Sequence, residues 1–226
     1  MTRSQLGRVW HVVTFGVAVT ALVIQLVVIV SGQTVLGSSG SVGLGEQVRR
    51  YFAYFTIQSN LLVAVTVFMI IRRRTGSRFF RVVRLASLIG ITVTGVVAFV
   101  ALPPSPDYST VNLICDRLLH IVVPLLTLVG WIVVGPRGKV FSADILPALA
   151  WPIVWLAATL ALGPVTKWYP YPFLDVPALG LGRVLVACLV VAVLFVLLAV
   201  LACWSDRRLP GSVGTAADSA DAREPS

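Results

Sequence analysis

Apolar residues run through this chain in six long stretches, roughly 10–31, 50–71, 80–102, 113–134, 144–162 and 182–204, and most of the charge falls between them. A helix needs about 20 mostly apolar residues to cross a hydrocarbon core, and each stretch meets that length. The pattern predicts an all-α, polytopic membrane protein with six transmembrane helices in one bundle over residues 1–209. Residues 210–226 are rich in Ala, Ser, Asp and Gly and are predicted to be a disordered tail. Pro103, Pro104 and Pro106 punctuate the end of the third stretch, and Gly135-Pro136 the end of the fourth. The apolar run from Val12 to Val30 is longer than the 7–15 residues typical of a signal-peptide core, and no A-x-A site follows, so it is expected to be a mature helix. The Gly/Ser-rich stretch 37–45 reads as a flexible loop without a phosphate-cradling pattern.

Composition agrees with that class. Of 226 residues, 58% are hydrophobic and only 12% charged, against about 25% charged in a typical soluble domain. The net charge of +9 would suit nucleic acid, but the basic residues stand at the ends of apolar runs, which excludes a nucleic-acid footprint. If both ends face the cytoplasm, Arg3, Arg8, Arg72, Arg73, Arg74, Arg78, Arg81, Arg84, Arg137, Lys139, Arg207, Arg208 and Arg223 fall inside, thirteen of the 18 Lys and Arg. Arg49, Arg50, Arg117, Lys167 and Arg183 remain on the other side. The excess of positive charge inside predicts a multi-pass plasma-membrane protein with cytoplasmic N- and C-termini. Trp10, Trp131 and Trp204 then mark the inner interface, and Tyr51, Tyr54, Trp168, Tyr169 and Tyr171 the outer one. Cys115, Cys188 and Cys203 show neither C-x-x-C nor metal-ligand spacing, so no metal and no disulfide framework is implied.

Polar groups at membrane depth are costly and point to function. Two clusters qualify. The second stretch opens Tyr54-Phe55-Thr56-Ile57-Gln58-Ser59-Asn60, and the fourth opens with Asn112, Asp116, Arg117 and His120. Counted at 1.5 Å per residue from Tyr51 and Leu113, Thr56 and His120 lie roughly 8 and 10 Å below the same boundary. Thr56 and Asn60 are i,i+4, as are Asp116 and His120, so each pair shares a helix face. Pro124 cannot donate to the His120 carbonyl and predicts a kink there. The other histidine, His11, is expected at the surface beside Trp10.

This set suits nucleophilic attack. Histidine can take the proton of the Thr56 hydroxyl, Asp116 can orient the imidazole, and Asn60, Ser59 or Gln58 can donate to a developing oxyanion. Plain structural readings stand beside it. Thr, Ser and Asn in membrane helices commonly bond to neighbouring helices or back to carbonyls. Asp116 and Arg117 can cap the helix start or pair with each other, and the arginines of 72–84 set orientation or meet anionic lipid.

The segment Trp168-Tyr169-Pro170-Tyr171-Pro172-Phe173-Leu174-Asp175, followed by Gly182-Arg183 at the start of the last stretch, resembles the androgen-induced protein family of six-span membrane proteins. Phe55-Thr56 and His120-Ile121-Val122-Val123-Pro124 resemble that family's threonine and histidine segments, and the composition resembles its bacterial branch. Asp116 replaces an amide of the animal members, and the Gly/Ser-rich first loop is not a family feature. The resemblance implies a threonine hydrolase acting on fatty acid esters of hydroxy fatty acids. The nucleophile and the essential histidine would be Thr56 and His120.

The expected protein is therefore a lipid-ester hydrolase without cofactor, whose partners are membrane lipids and a lipid-like substrate entering from the bilayer. Trp168, Tyr171, Pro172, Phe173, Asp175 and Arg183 form an external motif, expected either to fold over the mouth between the second and fourth spans, with Asp175 near Arg183 or Arg117, or to anchor at the interface. The alternative is a non-enzymatic transporter or lipid-binding scaffold; transporters favour internal repeats and interrupted helices at midplane in matching halves, whereas the polar groups of this chain cluster toward one face and no charged residue is expected at the bilayer centre. The topology is directly checkable. Cysteines placed at Gly40 and Lys167 should react with an impermeant reagent from outside, and those at Thr75 and Gly138 only after the membrane is opened. An odd number of crossings, with Ser226 outside, would contradict the orientation.

Overall fold

The computed structural model describes residues 3–31, 42–102 and 109–209. Most of the Gly/Ser-rich loop, Pro103, Pro104 and Pro106, and the tail from 210 lie outside the described residues. The described chain is helical: α1 (Arg3–Val30), α2 (Leu44–Ala53), α3 (Phe55–Ile71), α4 (Arg78–Ala101), α5 (Thr110–Arg117), α6 (Val123–Val129), α7 (Ile145–Thr166), α8 (Val176–Leu179) and α9 (Leu181–Arg208). The π-helical turn Leu118–Val122 joins α5 to α6 and a second, Gly130–Val134, extends α6, making one 25-residue rod, Thr110–Val134. Among the described residues there is no strand.

Five helices are long and apolar enough to cross a membrane: Gln5–Val30, Arg78–Ala101, Thr110–Val134, Ser142–Thr166 and Leu181–Arg208. The sixth crossing exists only if α2 and α3 count together, because they meet at a 67° bend. Here the structure departs from the uninterrupted helix expected over 50–71. With ten residues that include Glu46, Arg49 and Arg50, α2 is too short and too charged for hydrocarbon, while α3 has 17 residues and spans about 26 Å. This architecture is compatible with a membrane-embedded protein, and Val154, Val165, Leu189 and Val190 are among the large apolar side chains on its outer surface.

The bundle is organised around α4, which packs against α3, α6, α7 and α9 and is 56% buried over its most apolar stretch. Gly90 allows α7 to come close to α4: a Cβ there would meet the Trp151 ring at 2.7 Å. On the other side α1 lies against α3 and the Thr110–Val134 rod. Ser77 and Ser109 begin α4 and α5 as N-caps, accepting from the Phe80 and Asn112 amides at 3.1 and 3.3 Å.

At the end of the bundle where α3 finishes, several expectations are revised. Arg81 bonds the buried Asp144 at 2.8 Å and Arg78 lies 3.6 Å from it, which ties α4 to the start of α7. Arg84 is only 4% exposed, so this member of the arginine run sits inside the bundle. His11 is also buried, at 9% exposure, because α1 presents that face to the bundle rather than to its surroundings.

Candidate functional site

The site begins with the break in the second stretch. At Tyr54 the backbone turns extended (φ −67°, ψ 127°), which frees the last carbonyls of α2 and the first amides of α3. Side chains from three places satisfy them. Trp155 of α7 donates its Nε1–H to the Ala53 carbonyl at 2.8 Å, and Gln58 donates to the Phe52 carbonyl at 2.8 Å. The Tyr171 hydroxyl accepts the Thr56 amide at 3.1 Å, an amide that Tyr54 as N-cap does not serve with its side chain. Phe55 locks the start of α3 by stacking on Trp151 (4.4 Å) and meeting Trp155 and Phe195 edge-on (5.0 and 5.7 Å).

Because α3 starts at Phe55, the rise counted from Tyr51 does not run along its axis, and the depth expected for Thr56 is revised: Thr56 lies within the first turn of α3. Its hydroxyl is buried and stands 3.2 Å from His120 Nε2 and 3.1 Å from the Tyr171 hydroxyl. His120 projects from the π-helical turn Leu118–Val122, where the Val123 amide reaches back five residues to the Leu118 carbonyl. The irregularity expected from Pro124 takes this form, a widened turn of the kind common at functional sites. Gly95 of α4 leaves room beside it; a Cβ there would come within 3.3 Å of the His120 carbonyl.

Proton positions follow from the partners. His120 Nδ1 faces two acceptors, the Asp116 carboxylate at 2.9 Å and the Asp116 carbonyl at 3.1 Å, so Nδ1 carries the proton and Nε2 is left to accept. Thr56 then donates to His120 Nε2, and the Tyr171 hydroxyl, which already accepts the Thr56 amide, donates to Thr56 Oγ1. The result is a directed chain from Tyr171 through Thr56 and His120 to Asp116.

Asn60 and Ser59 support this chain from behind. Asn60 Nδ2 donates to the Thr56 and Leu119 carbonyls at 2.8 and 3.3 Å, bridging α3 to the histidine turn. The Ser59 hydroxyl bonds the Thr56 carbonyl at 3.1 Å and Thr94 at 2.8 Å. Gln58 is held between Phe52 and the Trp151 indole, which donates to its Oε1 at 2.8 Å. These donors are committed to carbonyls and neighbours. Tyr171, expected as an interfacial aromatic and as part of the external motif, carries the donor beside the Thr56 hydroxyl.

The external motif docks on the break. Trp168 lies under the Arg49 and Arg50 guanidinium groups (5.4 and 5.1 Å) and edge-on to Tyr54 (5.5 Å), and Tyr171 stacks on Phe173 (5.3 Å). Both arginines also bond Glu46, at 2.5 and 2.7 Å, and Arg49 foremost, then Arg50, holds its carboxyl down at about 2. Pro172 opens a short 3₁₀ turn, Pro172–Leu174. Asp175 is not brought to an arginine: its carboxylate caps α8 by accepting the Ala178 amide at 3.1 Å, and Arg183 is exposed at the start of α9.

A cavity of about 150 Å³ opens beside Thr56. It lies between α3, α4, α7 and α9, walled by Val93, Leu149, Trp155, Phe173, Val191 and Phe195, with Thr56, Thr94 and Tyr171 among its few polar groups. His120 is not in its wall; it stands behind Thr56. The expectation had placed the opening between the second and fourth spans, and no local pattern in α7 or α9 reveals their part in it. A cavity of this size and apolarity takes a benzene-sized group. Among the described residues no cluster of three His, Cys, Asp or Glu side chains is arranged to hold a metal. No protein-family model, no curated protein and no solved structure matches the chain.

The capping role of Tyr171 is testable apart from any chemistry. Tyr171→Phe keeps the ring contacts but strands the buried Thr56 amide, so it should destabilise the protein by about 1–3 kcal/mol. Thermal unfolding in detergent should show a lower midpoint, whereas Trp204→Phe at an exposed position should leave it unchanged. An unchanged midpoint for Tyr171→Phe would remove Tyr171 from the account of the break.

Proposed function

We propose that this chain is a six-span member of the androgen-induced protein family, in the plasma membrane with both ends in the cytoplasm, and that it hydrolyses lipid esters with Thr56 as nucleophile. The observation that carries this reading is the Asp116–His120–Thr56 chain, 2.9 and 3.2 Å, ending at a hydroxyl that borders an apolar cavity. It has the connectivity of a nucleophile–base–orienter triad.

The first few carbons of the acyl chain enter the cavity, the rest of the chain staying outside it, and bring the ester carbonyl to Thr56. As Thr56 Oγ1 bonds the carbonyl carbon, its proton passes to His120 Nε2, and Asp116 stabilises the imidazolium. The Tyr171 hydroxyl, no longer needed by a neutral Thr56, turns its hydrogen to the oxyanion. Collapse breaks the ester C–O bond; the alcohol leaves with the proton from His120, and Thr56 is acylated. A water then gives a proton to His120 and bonds its oxygen to the acyl carbon; the bond from that carbon to Thr56 Oγ1 breaks, His120 returns the proton to Thr56 Oγ1, and the acid leaves. The chain consumes ester and water and produces acid and alcohol, with no cofactor.

Purified protein in detergent, given an ester of a fatty acid with a hydroxy fatty acid, tests this. Thr56→Val and His120→Ala should each lower kcat by about 10²–10⁴-fold or more, and the double variant should lose little beyond either single one. Thr56→Ser should keep part of the activity. If Thr56→Val keeps full activity while His120→Ala unfolds the protein, the pair is structural and the hydrolase reading fails.

A further inference from the structure

At the opposite end of the bundle from Thr56 lies a second, smaller cavity of about 30 Å³, walled by α1, α3, α4, α6 and the second π-helical turn. It shares no residue with the cavity beside Thr56. Its wall contains Arg84, a side chain that is 4% exposed and whose two terminal guanidinium nitrogens have no hydrogen-bond partner. Two further groups of the same wall are buried without partners: the Trp131 indole N–H and the Thr66 hydroxyl.

Positive charge is in excess at this site. No described carboxylate forms an ion pair with Arg84. Asp144 is bonded to Arg81 and lies beside Arg78. Asp206 accepts the Lys139 and Val140 amides at 3.0 and 3.1 Å and, from beyond ion-pair distance, attracts both Arg84 and Arg137, one carboxylate against two guanidinium groups. Arg137 reaches the Trp131 and Ile132 carbonyls and brings another positive charge to the region. A buried guanidinium cannot shed its proton, and an unpaired buried charge costs several kcal/mol. Water in the cavity would satisfy hydrogen bonds but would leave the excess of positive charge in place. An anion satisfies the hydrogen bonds and offsets that excess. The donors Arg84 Nη1 and Nη2, Trp131 Nε1 and Thr66 Oγ1 belong to three different segments, so one small anion would tie α3, α4 and the rod together at this end.

We infer that the Arg84 cavity is a binding site for one small monovalent anion, of the size and charge of chloride. The volume admits one such ion or about two waters and excludes a lipid phosphate. The site is structural and separate from the Thr56 chemistry, so it stands whether or not the protein hydrolyses esters.

The experiment uses the full chain in detergent, with sodium gluconate exchanged for sodium chloride or bromide at constant ionic strength. The thermal midpoint should rise saturably with either halide. Thr66→Val, which removes one donor, should move half-saturation to about fivefold higher halide, and Arg84→Gln should abolish the rise. Should Arg84→Gln fail to fold, anomalous diffraction from wild-type crystals grown in bromide decides the matter through a peak in the cavity. A midpoint insensitive to halide, an equal rise in Arg84→Gln, or water without bromide in the cavity would overturn the site.

Discussion

A transmembrane helix that stops and restarts must find partners for the backbone groups it frees, since lipid offers none. In this protein the interruption falls at Tyr54, and the partners are Gln58 from the same segment, Trp155 from α7 and Tyr171 from the loop between α7 and α9. The rest of the site depends on this arrangement. It brings the Trp168–Asp175 segment onto the α2–α3 junction, and it sets Thr56 in the first turn of α3 rather than further along a continuous rod. It also delivers a tyrosine hydroxyl to the threonine hydroxyl. The group that caps the helix is the group next to the Thr56 hydroxyl.

The second irregularity, the π-helical turn at Leu118–Val122, faces the first. Asn60 joins them through the carbonyls of Thr56 and Leu119. Two distorted helices are thus held in register by one buried amide, and a 3.2 Å contact between Thr56 and His120 results. Polar side chains here do both kinds of work open to them in a membrane: Ser59, Asn60 and Gln58 satisfy backbone and neighbours, while Thr56, His120 and Asp116 form a chain whose outer end borders a cavity.

The helices were legible because each is a long apolar run, and the end of the bundle that holds polar groups was legible from Thr56 and His120 standing near the same ends of their stretches. The i,i+4 spacing of Asp116 and His120 likewise corresponds to a 2.9 Å contact. The break at Tyr54 was not legible. Neither Gly nor Pro lies between Arg49 and Gln58, and the bend is imposed by tertiary partners more than a hundred residues away in sequence. The same holds for the cavity, whose walls in α7 and α9 are ordinary apolar residues, and for Arg84 and His11, which read as interfacial by position and are buried by packing. Asp175 was misjudged for another reason: charge suggests an arginine partner, but the start of α8 offers a nearer donor.

The proposed role of Thr56, a nucleophile activated by His120, is tested most directly by where a covalent ester mimic attaches. A long-chain alkyl fluorophosphonate, incubated with purified protein in detergent, loses fluoride on reaction with an activated hydroxyl, and peptide mass spectrometry locates the adduct. The account predicts an adduct on Thr56 that is absent from Thr56→Val and strongly reduced in folded His120→Ala. Attachment elsewhere, or equal labelling of Thr56→Val, would contradict it.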